Sequence, residues 1–205
     1  MLLAACQRLG AGAGRMAIDL GCGDGTDTLA LLDRGWSVLA VDIEPAGLAL
    51  LRSRIPPASA GRIRLLCASF ADAVLPPAHL IHAGFSLPFC PSSRFPALWE
   101  QIRRALVPAA IFAGQLFGTR DSWAADPGMT FQDRSEITRL LDGLQVLELH
   151  EAERDGEAQR PQALAHLRHP GPPASRTRAS GRLTYPPAKR HLAALAGDRH
   201  HDGDV

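Results

Sequence analysis

Three glycines at alternate positions, Gly21, Gly23 and Gly25, interrupt an apolar run, and a solitary acid, Asp42, follows 19 residues after Gly23. Glycines so spaced let the chain turn sharply and bring bare backbone against a ligand that a Cβ would push away. A carboxylate placed like that of Asp42 can accept both hydroxyls of a ribose. Together they predict a nucleoside-type cofactor. A pyrophosphate-binding loop has the spacing G-x-G-x-x-G with a helix close behind. This loop reads G-x-G-x-G and contains Asp24, whose charge would repel a pyrophosphate but not the ammonium of an amino-acid moiety.

Other residues carry less chemistry. His79 and His82 are the body's candidates for a general base, with a loop and a strand-edge role without catalysis as the favoured reading. Neither His79-x-x-His82 nor His166-x-x-His169 has a third ligand at metal spacing, so no metal site is expected. Ser86 is not set in G-x-S-x-G and does not read as a hydrolase nucleophile. Trp99 reads as a packing residue, and Trp123 as a candidate to line an acceptor pocket.

For the loop and Asp42 to meet, the elements around them must form a sheet. From Arg15 onward, short β-type runs alternate with helical patterns, the signature of βαβ units. Residues 16–20 read as a buried strand and 26–34 as a helix stopped by Gly35. Residues 36–41 form a second strand with Asp42 at its tip, and Pro45 opens a helix carrying Leu48, Leu51 and Ile55. Strands are predicted over 62–67, 80–85, 110–117 and 144–149, and helices over 93–106 and from Ser135 through Leu141. The order is that of a doubly wound, mostly parallel, Rossmann-like α/β sheet, whose ligands bind at the carboxyl ends of the strands.

Ile18-Asp19-Leu20-Gly21-Cys22-Gly23-Asp24-Gly25 resembles motif I of class I S-adenosylmethionine-dependent methyltransferases, and Val41-Asp42-Ile43 resembles their ribose-binding motif. Ala68-Ser69-Phe70-Ala71-Asp72 matches the segment that flanks adenine, and Ala83-Gly84-Phe85-Ser86-Leu87-Pro88-Phe89 the motif after the fourth strand. The resemblance covers roughly residues 1–156 and is nearest to small bacterial methyltransferases of the tellurite-resistance type. It implies S-adenosyl-L-methionine as cofactor, with Gly21, Cys22 and Gly23 at its methionine portion and Asp19 reaching the ammonium. Asp42 would take the ribose, Ile43 and Phe70 the adenine faces, and Ser69 or Asp72 the adenine amino group. It also implies methyl transfer to a small-molecule acceptor by in-line displacement, without a dedicated catalytic side chain. The acceptor itself depends on the loops 86–91 and 118–123. The competing readings are a degenerate methyltransferase-like fold without activity and an NAD(P)-dependent oxidoreductase.

Composition narrows the partners. Residues 1–156 hold 14 Arg against 17 acidic residues, and 157–205 hold 8 basic against 4, so a mildly acidic body is joined to a basic tail. Such a body lacks the basic face that nucleic-acid binding requires. The four cysteines form no C-x-x-C pair, and no apolar run is long enough to span a membrane. A reduced, cytoplasmic protein is expected, and the sequence leaves its oligomeric state open. Three departures from the family stand out. Only about 14 residues precede the first strand, so a cover for the cofactor is short or missing. Pro108-Ala109-Ala110 stands where the family tends to have Pro-Gly-Gly. Residues 157–205, rich in Pro, Arg and His, read as a disordered tail with a helical pattern only at 189–196, and their composition resembles a high-GC gene read out of frame. The seventh strand of the family is therefore expected to be absent or atypical.

Overall fold

The computed structural model describes residues 1–152 and 162–168. Helices α1 (Leu2–Leu9), α2 (Thr26–Asp33) and α3 (Pro45–Arg54) alternate with strands β1 (Met16–Leu20), β2 (Ser37–Asp42) and β3 (Ile63–Cys67). They are followed by β4 (Ala78–Ala83), α4 (Phe95–Ala105), β5 (Leu106–Phe117), α5 (Arg134–Leu140), β6 (Gln145–Ala152) and β7 (Gln162–Arg168). The strands form one sheet in the order β3-β2-β1-β4-β5-β7-β6. β1 to β5 pair in parallel, and β7 runs antiparallel to both β5 and β6.

Adjacent apolar pairs on the central strands account for the layers. Successive side chains on a strand point to opposite faces, so Ala17 and Ile18, Val38 and Leu39, and Ile111 and Phe112 each supply one residue to either side. Ile18, Leu39 and Phe112 join a core with Phe95, Leu98 and Ile102 of α4, against which Ile137 and Leu140 of α5 also pack. Ala17, Val38 and Ile111 join the opposite core with Leu2 and Ala5 of α1 and Leu31 of α2. Helices thus cover both faces, as a doubly wound sheet requires.

Several boundaries differ from the sequence expectation, β4 among them, at Ala78–Ala83 rather than 80–85. The sheet does not stop at six strands: β7 pairs along its length with β5 on one side and β6 on the other, past the boundary expected at Gly156. The remaining residues after 156, including the helical pattern at 189–196, lie outside the described residues. Helix α5 is capped not by Ser135 but by Asp133, in a capping box with Glu136 that satisfies two end donors reciprocally. β5 begins four residues early, at Leu106, with a register irregularity opposite Ala78 and Leu80. The stretch before β1 forms α1, which buries Leu2, Ala5 and Cys6 on the sheet.

Candidate functional site

The glycine loop is shaped by its neighbours before any ligand is considered. The Gly21 and Cys22 N–H groups both donate to the Val41 carbonyl, at 2.8 and 3.0 Å, tying the end of β1 to the end of β2. Gly21 sits at φ +72°, and a Cβ there would come within 2.2 Å of the Ser86 Cβ, so the bare backbone makes room for the segment after β4. The Ser86 hydroxyl donates to the Leu20 carbonyl on the same side. Gly23, at φ +51°, has open space where a Cβ would project, and its carbonyl lies against Gly47 of α3.

Asp42 closes the loop. One carboxylate oxygen accepts from the Gly23 N–H at 2.7 Å and the other from the Glu44 N–H at 2.9 Å. A carboxylate has about four lone-pair sites, so acceptor capacity remains for hydroxyls. Asp24 faces elsewhere: it accepts from Arg54 of α3 at 2.8 Å and from the Thr26 hydroxyl at 3.0 Å. Slight burial opposes its charge, but those hydrogen bonds outweigh it and hold the carboxyl below its ordinary range. Since Asp24 is spent on Arg54, discrimination against a pyrophosphate rests on the loop spacing rather than on this charge.

Asp19, Cys22 and His82 form the floor beneath. Asp19 is buried, accepts from the Thr28 hydroxyl at 2.6 Å, and has its carboxyl pushed up by burial. Burial, with the nearby Asp19 and Asp42 charges, pushes the Cys22 thiol up to about 12, which keeps it an inert apolar side chain. The buried His82 ring bonds the Ala113 carbonyl at 3.0 Å and Asp27 at 2.9 Å. Burial works against its charge, but Asp27 and Asp19 outweigh that and raise its pKa. Gly84 lies against this pair, and a Cβ there would come within 2.9 Å of His82 Nε2. His79 accepts from the Met16 N–H at 3.3 Å, at the far end of β1.

A cavity of about 750 Å³ opens among the segments that follow β1 to β4. Of the residues singled out in the sequence, Gly21, Asp42, Ile43, Ser69, Phe70 and Asp72 line it. Asp19, Cys22, Gly23 and His82 do not. Ile43 remains 61% exposed on one wall, while Phe70 both lines the cavity and packs against the core. Ser69 donates to Asp72 at 2.6 Å, fixing both side chains. Trp123 does not line the cavity but stands behind Phe89, their ring centroids 6.2 Å apart. Glu44 and Arg94 also line the wall, and sequence reasoning missed both. Glu44 follows the ribose motif directly, whereas Arg94 precedes a helix and carries no spacing signal. Among the described residues there is no cluster of three potential metal ligands, and no helix is long and apolar enough to cross a membrane.

The strand order, the antiparallel β7 and a glycine loop joined to an acid at the tip of β2 define a class I, Rossmann-like methyltransferase architecture. Residues 17–109, somewhat less than half of the chain, match the methyltransferase-domain family. A 62-residue stretch is 37% identical to magnesium-protoporphyrin O-methyltransferase of Rhodobacter capsulatus, covering 30% of this chain and only 28% of that relative. TehB of Haemophilus influenzae has the same fold (TM-score 0.67, 15% identity), with 83% of this chain and 61% of that one covered. The N-methyltransferase NodS of Bradyrhizobium japonicum WM9, in complex with S-adenosyl-l-homocysteine, shares it too (TM-score 0.67, 18% identity, 82% of this chain and 84% of that one).

Proposed function

We propose that the protein transfers a methyl group from S-adenosylmethionine to a small-molecule acceptor by in-line displacement. The observation that carries this reading is the 750 Å³ cavity, in which Asp42, Ile43 and Phe70 line one wall beside the Gly21 turn. Its volume falls within the roughly 300–1,000 Å³ of pockets that enclose small ligands and cofactors. The donor set suits the cofactor's three parts. Asp42 would accept the ribose hydroxyls, Ile43 and Phe70 would hold the adenine, and the Gly21 to Gly23 backbone would face the methionine portion, above the Asp19 charge.

When bound, S-adenosylmethionine supplies a methyl group already activated by its sulfonium, which an acceptor nucleophile takes as the carbon–sulfur bond breaks and its electron pair returns to sulfur. The residues of the chain have then to hold the acceptor in line, and orientation alone can supply roughly 7–11 kcal/mol in the best cases. No histidine or lysine lines the cavity among the described residues.

Calorimetric titration with S-adenosylhomocysteine and separately with NAD tests the reading. S-adenosylhomocysteine is expected to bind and NAD not. Binding of NAD alone would replace the reading with an oxidoreductase, and binding of neither would leave a fold without the activity.

A further inference from the structure

The cavity is charged unequally along its length. The segments after β2 and β3 bring Asp42, Glu44 and Asp72 to it, whereas the segment after β4 brings Arg94, the one basic residue lining it among the described residues. Arg94 stands at the start of α4, and among the described residues its side chain has no hydrogen-bond or ion-pair partner.

The same segment leaves two phenyl rings in contact with water, Phe85 at 43% and Phe89 at 56% exposure. Phe89 is backed by Trp123, which fixes its outer side. Phe85 has φ +54°, a left-handed conformation unfavourable for a bulky residue, and its N–H is anchored on the buried Gln115 side chain at 2.6 Å. Core packing gives no reason for an aromatic held in a strained backbone and left exposed, but presentation to a ligand does.

The two ends follow from the placement of the cofactor proposed above: Asp42, Ile43, Phe70 and Asp72 stand with its adenosine part, which leaves the aromatic and basic segment after β4 to the acceptor. We infer that the acceptor is a flat aromatic molecule bearing a carboxylate, its ring against Phe85 and Phe89 and its carboxylate held by Arg94. This inference rests on the methyltransferase reading above. The guanidinium is a planar fork that matches a carboxylate. A cationic acceptor would be repelled by it, and an aliphatic one would leave the ring faces without the stacking that aromatic partners provide.

The test is isothermal titration of the full chain saturated with S-adenosylhomocysteine, using 2-naphthoate against 2-naphthamide and indole-3-acetate against its amide. Each carboxylate is expected to bind at least about tenfold more tightly than its amide. Arg94→Gln should remove that difference, Arg94→Lys should keep part of it, and Phe89→Ala should weaken acid and amide alike. S-adenosylhomocysteine affinity within about twofold of the parent in each variant shows that the fold is intact. Equal binding of acid and amide, a difference that survives Arg94→Gln, or no binding of either carboxylate to the loaded protein overturns the inference and leaves the cofactor reading standing. Failure of S-adenosylhomocysteine to bind overturns both.

Discussion

Asp42 accepts from Gly23 and Glu44 at once, so its carboxylate shapes the loop and keeps acceptor capacity for the ribose proposed above. Hydrogen bonds to a charged group are worth about 1.5–3 kcal/mol each, and Asp42→Ala should therefore weaken S-adenosylhomocysteine binding at least about tenfold by calorimetry. Unchanged affinity would move the ribose elsewhere. The His82–Asp27 pair sets a different expectation. His82 has its pKa raised in the fold, so the stability it contributes is complete below about pH 6.5 and is lost as pH rises through the folded value. Asp27, lowered first by its hydrogen bond to His82, contributes above about pH 3.9 and loses that as pH falls through its own folded value. Asp19, raised by burial, has the same sign as His82. The melting-temperature difference between the parent and His82→Gln should thus be largest near pH 5–6, inside the window those values define, and shrink toward alkaline pH. A difference that grows with pH would mean that the ring is neutral in the fold. At this scale Asp42 was marked by its type and position, and Ile43 and Phe70 only by the family resemblance, as residues of the segments that line the cavity. Arg94 and the partner of His82 were not, since each depends on which segments the sheet brings side by side.

Where elements begin and end, local chemistry competes with the sheet. β4 and β5 pair across an irregularity, and within the early part of β5 Ala109 takes φ +66°. The sequence marked this spot, because Pro108-Ala109-Ala110 lacks the glycine that a left-handed turn favours. An L-residue pays roughly 1–2 kcal/mol in that region, partly offset by the greater freedom that glycine has in the unfolded chain. Ala109→Gly should therefore stabilise the protein by up to about 1 kcal/mol and raise the melting temperature by about 2–4 °C. A lowered melting temperature would show that the Ala109 methyl packs better than its backbone is strained. The strand cores of β1 to β3 were readable from apolar runs between turn residues. The helix α5 start was misread by one residue and its cap by two, although Asp133 and Glu136 spell a capping box; the hydroxyl of Ser135, which donates to Asp133, drew attention to the wrong residue.

Across the whole molecule, the element least visible in the sequence is the one that joins the two halves of the sheet. Ala163, Ala165 and Leu167 alternate, but over a short stretch of little bulk, and what makes Gln162–Arg168 a strand is the pair of open edges on either side of it. Strand formation of that kind is set by cross-strand neighbours more than by intrinsic preference. Without β7, β6 has no partner in the sheet, and β5 presents an apolar edge that runs through Ile111, Phe112 and Phe117. Unpaired strand edges of this length template association with other chains. A chain ended after Gly156 should consequently elute as aggregate on size exclusion and lose the cooperative melting of the full chain. If it instead stays monodisperse and melts cooperatively at the parent's temperature, β7 contributes nothing to the sheet's stability, and the five parallel strands hold the cofactor cavity unaided.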